Sequence, residues 1–163
     1  ITCPTVNSYN GLVPTVGGFE GGVHTWAPVN ITYGHNNRSA QFRLPQNRYC
    51  IENRAADLTM NIYLALGMTI SAAIDGIKNK IEPGKPSDFD LYTLKEEDMK
   101  KLGIRRLPRN LLQAVESLQK NKIAEKVLGK VMLDSYVNYK NDEWERYHQA
   151  VTDWEVKEYL RLY

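Results

Sequence analysis

Hydrophobic and polar positions alternate in the first part of the chain and recur every three or four residues in the rest. Val29, Ile31 and Tyr33 alternate with Asn30 and Thr32, the period of a half-buried strand over 28–33. Gly34-His35-Asn36-Asn37 reads as a turn, and 39–44 and 49–54 read as the next two strands. Pro45-Gln46-Asn47 between them supplies turn residues and predicts an antiparallel, hairpin-like pair. Ahead of these, 5–12 reads as a short helix ended by Gly11 and Pro14, and 15–24, with four glycines, as a loop.

Beyond Arg54 the period changes. A long helix is predicted over 60–80, capped by Asp57 or Thr59 and stopped before Pro83-Gly84. It is apolar nearly all round in its first half, which predicts deep burial. A loop over 84–92, rich in Pro and Asp, leads to a short charged helix over 95–101. Pro108 suits the first turn of another helix, with Leu111, Leu112, Val115 and Leu118 on one face. A helix over 121–140 is broken near Gly129. A last helix carries Trp144, Tyr147, Val151 and Trp154 as one amphipathic stripe. The expected class is α+β: a few antiparallel strands followed by a helical C-terminal half.

Composition narrows the picture. The 163 residues suffice for one core, so a single domain over 1–163 is expected. An apolar share of 42% and a charged share of 25% are ordinary for a globular chain. A net charge of +2 is too mild, and too interspersed with acid over 95–101, to point to nucleic acid. Cys3 and Cys50 make no disulfide framework and favour a reduced, cytoplasmic setting. Asn30-Ile31-Thr32 and Asn37-Arg38-Ser39 match the glycosylation sequon, but no secretory signal precedes them, so both read as chance matches. The apolar run over 62–74 is 13 residues long, too short to span a bilayer, so no membrane is expected. His24, His35 and His148 show no ligand spacing.

The chemistry concentrates in Asn36-Asn37-Arg38-Ser39-Ala40-Gln41-Phe42-Arg43 and Ile51-Glu52-Asn53-Arg54. Alternation puts Ser39, Gln41 and Arg43 on one face of their strand, and Glu52 and Arg54 on one face of the next. Guanidinium forks fixed beside a carboxylate suit a site that grips phosphate or carboxylate, and one edge of a metal. On composition alone these residues would tune solubility or form a surface ion pair of little worth.

Several short motifs occur in a telling order: Asn7-Ser8-Tyr9, Trp26-Ala27-Pro28, Asn37-Arg38-Ser39-Ala40, Arg43, Glu52-x-Arg54, Asn61-x-Tyr63-Leu64 and Asp75-Gly76-Ile77. In that order they resemble the C-terminal part of the catalytic domain of glutamine synthetase and its γ-glutamyl-amide ligase relatives. The resemblance runs from about Pro4 onward, and past Pro86 it rests on helical pattern. It implies an ATP-dependent carboxylate–amine ligase: a side-chain carboxylate is phosphorylated and ammonia or an amine displaces phosphate. It implies Mg²⁺ or Mn²⁺, small-molecule substrates such as glutamate and ammonia, and a homo-oligomeric ring for the full-length protein. Family members are several times longer, so this chain is expected to be a fragment, inactive alone.

The resemblance also implies roles. Arg38 matches a residue that contacts the transferred phosphoryl group, Arg43 a contact to the nucleotide phosphates, Arg54 an arginine near the acyl substrate, and Glu52 a metal-binding glutamate. One glutamate cannot hold a hard cation that needs about six oxygen ligands, so the chain alone is expected to bind metal weakly. Arg48 lies one residue off a basic position of the family. Tyr92 resembles a tyrosine that some bacterial members modify, but the motif is short and reads first as an ordinary loop tyrosine. Two departures bear on the substrate. Trp26 stands where glutamine-forming members have an acidic residue, with Glu20 the only local substitute, and resembles members that use alkyl amines. Asn10-Gly11-Leu12 replaces a Lys-Arg-Leu whose arginine holds the substrate α-carboxylate. These departures leave open a ligase for another amine or acid, and a non-catalytic relative kept for assembly or binding.

Overall fold

A computed structural model describes residues 1–10, 12, 27–160 and 162. Gly11, the loop over 15–24 with Glu20 and His24, and Trp26 lie outside the described residues.

Among the described residues, four short strands form one mixed sheet in the order β3-β2-β1-β4. They are β1 (Asn30–His35), β2 (Ala40–Leu44), β3 (Glu52–Asn53) and β4 (Arg105–Arg106). β2 and β3 pair antiparallel, as the Pro45-Gln46-Asn47 turn predicts, with Arg43 directly opposite Glu52. β1 and β2 instead run parallel, with Gly34 beside Arg43 and His35 beside Leu44. The strand period fixes which face a side chain takes but not the direction of the neighbouring strand. β4, too short to announce itself by period, adds the antiparallel edge next to β1.

The connector from β1 to β2 is pinned from outside the sheet. Asn37 Nδ2 donates to the carbonyls of Ser87 and Phe89, while its Oδ1 accepts from Ser39 N and Ser39 Oγ. Leu91 N donates to Ser39 Oγ. Ser87 N reaches Tyr33 O, and Asp88 takes two bonds from His35. Gly34 is required here: a Cβ would stand 2.4 Å from Ser87 O.

Helices make the remainder: α1 (Ile62–Lys78), α2 (Glu96–Lys101), α3 (Leu111–Gln119), α4 (Lys122–Leu128), α5 (Lys130–Gln149) and α6 (Asp153–Tyr159). Asn61, rather than Asp57 or Thr59, caps α1, its Oδ1 accepting from Tyr63 N and Leu64 N. Asp57 is spent on Thr59 in its own turn. Asn110 caps α3, so Pro108 precedes the helix instead of opening it. Gly129, at φ 73°, makes the predicted break between α4 and α5. The aromatic stripe is split: Trp144 and Tyr147 lie on α5 and Trp154 on α6, because the chain turns extended at Ala150 and Thr152 caps a new helix. The predicted N-terminal helix is a single 3-10 turn, Val6–Tyr9, closed by a capping box between Thr5 and Ser8.

The core lies in the helical half. Tyr9, Leu111, Val115, Ala124, Leu133 and Val137 are buried together, with Met68 of α1 against them. The largest departure from expectation is α1 itself. It packs on α4 and buries only Ala65 fully, leaving Ile62, Tyr63, Leu66, Ile70, Ile74 and Ile77 45 to 84% exposed. Among the described residues, no helix is long and apolar enough to cross a membrane.

Candidate functional site

The predicted cluster comes together at the β2–β3 edge. Arg43 and Glu52 face each other across the two strands, and Arg43 Nη1 donates to Glu52 Oε2 at 2.9 Å. Arg43 Nη2 donates to Asn36 Oδ1 at 3.1 Å. Asn36 sits at φ 52°, a conformation asparagine tolerates better than most residues, and also accepts from Gln46 N. The guanidinium is therefore held in plane from two sides. Arg48 Nη2 donates to the other glutamate oxygen, Glu52 Oε1. The hydrogen bond from Arg43 comes first, with Arg48 adding to it, in holding the Glu52 carboxyl below the usual carboxylate range.

Arg38 and Arg54 form a second pair. Arg54 lies just past β3, its backbone N–H on Gln41 O, and its Nη1 donates to the carbonyl of Arg38. Burial, with the Arg38 charge nearby, draws the Arg54 guanidinium below its ordinary pKa. It remains charged at neutral pH. The Asn37–Ser39 bracket leaves Ser39 buried and Asn37 half-buried, while Arg38 between them is exposed. Arg38 is thus a connector residue and not a strand residue.

The Arg43–Glu52 pair and the Arg54–Arg38 contact thus make up the cluster at the β2–β3 edge, with Arg38 on the connector rather than on a strand. Two residues that the motifs did not assign complete it. Asn36 orients Arg43, and Arg48 engages Glu52 from the turn. An Asn-Asn pair closing a strand is the one sequence signal that marks Asn36. An open cavity of about 450 Å³ is lined by Asn36, Arg43, Gln46 and Asn47. Arg43 Nε and Gln41 Oε1, two residues apart on β2, are buried without a hydrogen-bond partner among the described residues. Such a set suits a polyanionic ligand: fixed forks, little freedom to lose, and polar capacity left over.

A resident divalent cation does not fit the described residues alone. Both Glu52 oxygens are engaged by guanidiniums, and no three His, Cys, Asp or Glu residues gather into a metal-sized group. Tyr92, half-buried, donates its hydroxyl to Ala27 O at 2.6 Å, and burial pushes its pKa up to about 12. That is the setting of a structural tyrosine.

The same residues were compared with known proteins. A family model described as "Glutamine synthetase, catalytic domain" matches residues 1–159. The chain belongs to the glutamine synthetase family. A glutamine synthetase of Methanocaldococcus jannaschii is 42% identical over 163 residues, covering 98% of this chain and 34% of that protein. A glutamate–methylamine ligase of Methyloversatilis universalis is 41% identical, covering all of this chain and 36% of the relative. Among solved structures, a GmaS/ADP complex superposes with a TM-score of 0.82 at 32% identity, over 99% of this chain and 35% of the other. The chain spans about a third of the length of the relatives it matches. These relatives are ligases of the glutamine synthetase family, which gives the arginine cluster its chemical context.

Proposed function

We propose that this chain is the C-terminal part of the catalytic unit of an ATP-dependent carboxylate–amine ligase. The single observation that supports it best is the pairing of Arg43 with Glu52 and of Arg54 with the Arg38 carbonyl, in the family's motif order. In this reading the γ-phosphoryl group of ATP passes to a side-chain carboxylate. The nitrogen of ammonia or an amine then attacks the acyl carbon, and phosphate leaves. Charge spreads over the phosphoryl oxygens during transfer, and guanidiniums placed beforehand stabilise it without reorganising. Arg38, exposed on its pinned connector, would meet the transferred group. Arg43, fixed by Asn36 and Glu52, would grip nucleotide phosphates. Arg54 would neutralise the acyl substrate.

Mg²⁺ or Mn²⁺ would neutralise phosphate charge when bound. Glu52 would supply one oxygen donor, and the remaining carboxylates would come from the part of the catalytic unit outside this chain. The chain by itself would be inactive. The full unit would be cytoplasmic and form a homo-oligomeric ring, as the resemblance implies.

A second reading is a ligase for an alkyl amine. Two observations favour it: the methylamine ligase is as similar to the chain as the glutamine synthetase, and Trp26 replaces an acidic residue of the glutamine-forming pattern. Phosphate release by a full-length polypeptide carrying this sequence, with ATP, Mg²⁺ and glutamate, tests both. Turnover with ammonia supports the first reading, and turnover confined to methylamine the second. A folded protein inert with every acid and amine would return the non-catalytic alternative. Arg38→Gln should lower kcat by at least about a hundredfold, the usual loss when one charge-stabilising donor is removed.

A further inference from the structure

A second cavity, of about 490 Å³, shares no lining residue with the one beside Arg43. It lies between β1, the segment over 83–89 and the turn from α2 to β4. Ile31, Tyr33, Phe89, Leu102 and Ile104 give it an apolar wall, and Ile31, Phe89 and Leu102 are 40 to 56% exposed. Its frame is tied together: Tyr33 Oη donates to Gly84 O at 2.8 Å, Ser87 N to Tyr33 O, and Ile104 N to Met99 O. The charge in its lining is of one sign. Lys85 and Lys101 line it, and no Asp or Glu does among the described residues. Lys85 makes no ion pair among the described residues, and Lys101 only a loose one, 3.7 Å from Asp98. Ser87, 7% exposed, also lines the cavity. Its hydrogen bonds among the described residues run through its backbone, which leaves the hydroxyl to spare.

We infer that this cavity binds a small organic carboxylate with an apolar body, at a site separate from the arginine cluster. Its volume is that of a ligand pocket. Apolar walls open to water gain by being covered, and two ammonium groups with no acid in the lining favour an anion over a cation. Ammonium groups on long stems act as point charges and not as planar forks, and an apolar wall leaves any further charge of the ligand unpaired. A polyanion therefore suits the cavity beside Arg43, and a monoanion with a hydrocarbon body suits this one. The Ser87 hydroxyl supplies a donor for the carboxylate. The carbonyls of Ser87 and Phe89 also hold Asn37, so the ligand would rest on the segment that pins the Arg38 connector. The inference does not depend on the ligase reading.

The test is a ligand-observed NMR titration of a full-length polypeptide carrying this sequence, with hydrocinnamate as the probe. Binding with a Kd of about 1 mM or tighter is expected for a probe of that size. Hydrocinnamyl alcohol offers the same body without the charge, and acetate the charge without the body. Each should bind at least about tenfold more weakly than hydrocinnamate. Lys85→Gln/Lys101→Gln should weaken hydrocinnamate by about tenfold, and Arg43→Gln should leave its affinity unchanged. Both lysines are exposed, so thermal melts of the double variant should match those of the native protein. If the double variant fails to fold, Leu102→Glu, which sets a like charge on the exposed part of the wall, should weaken binding to the same extent. Absence of saturable binding to the native protein would overturn the inference. So would equal binding of the alcohol, or a loss caused by Arg43→Gln and not by the lysine variant. Binding needs no turnover, so failure of the ligase assay is a separate result.

Discussion

α1 and α3 are both strongly apolar, and they end in opposite environments. α3 turns Leu111 and Val115 into the core at 2 and 3% exposure, against Tyr9, Leu133 and Val137. α1 carries more large aliphatic residues and leaves most of them in solvent. An apolar pattern states that a face will be covered; it does not state that this chain will cover it. For α3 the cover lies within reach in sequence, on α4 and α5. For α1 only one flank finds a neighbour.

The sharpest way to press this comparison is truncation on the buried side. Leu111→Ala should destabilise the chain by about 2–5 kcal/mol, through lost transfer energy and the cavity left behind. Urea unfolding would read it as a lower midpoint at unchanged slope. A loss under 1 kcal/mol would mean that the helical core is loosely packed and the contrast with α1 is false.

The sheet offers the next effects. Gly34→Ala drives a methyl into Ser87 O and Asn37 Cβ, so the connector or the 87–91 segment must move. A loss of about 1–3 kcal/mol is expected, the range for overpacking. Wild-type stability in thermal melts would show that the segment yields freely. Asn37→Ala removes four side-chain hydrogen bonds and orphans the carbonyls of Ser87 and Phe89. It should cost about 1–3 kcal/mol. In the full-length protein it should also raise the KM for ATP if Arg38 needs its pinned connector; an unchanged KM with lowered stability would confine Asn37 to folding.

These residues show what the sequence carried and what it did not. Strand and helix periods placed most elements within a few residues, and Gly129 marked its break, because backbone preference and alternation are local. Motif order marked Arg38, Arg43, Glu52 and Arg54, which the fold joins in two contacts, Arg43 to Glu52 and Arg54 to the Arg38 carbonyl. The parallel pairing of β1 and β2, the capture of Asn36 by Arg43 and the exposure of α1 were not legible. Each is set by how segments meet in the fold, which neither period nor local composition states. Arg48 illustrates the limit: one residue off the family position, it still reaches Glu52, because a long side chain at a turn is not bound by strand alternation.

Alkaline titration separates the two regions by a smaller margin. Burial raises the Tyr136 pKa to about 12, above the ordinary value near 10 of the unfolded chain. The protonated form is thus favoured by folding. Its contribution is complete below pH 10 and is lost as the pH rises from 10 to about 12. Full burial would make a two-unit shift worth about 2.7 kcal/mol, and partial solvent access on α5 brings this nearer 1 kcal/mol. Tyr136→Phe should flatten that part of the stability curve, and a wild-type slope in the variant would assign the loss to other groups.

The smallest expected effect is the most informative about α1. Ile70→Ser removes a large aliphatic side chain from the middle of the longest apolar run, and by sequence pattern alone would count as a severe core mutation. Ile70 is 55% exposed, so in the isolated chain there is little burial to lose and no cavity to form. The change should stay within about 0.5 kcal/mol, the range of surface substitutions. Serine and isoleucine have similar helix propensity, and the Asn61 cap and the α4 contact are untouched. If Ile70→Ser instead costs as much as Leu111→Ala, the stripe is already covered in the isolated chain, by self-association or by a rearranged fold. Repeating the measurement over a hundredfold range of chain concentration distinguishes these, because only self-association makes the cost depend on concentration.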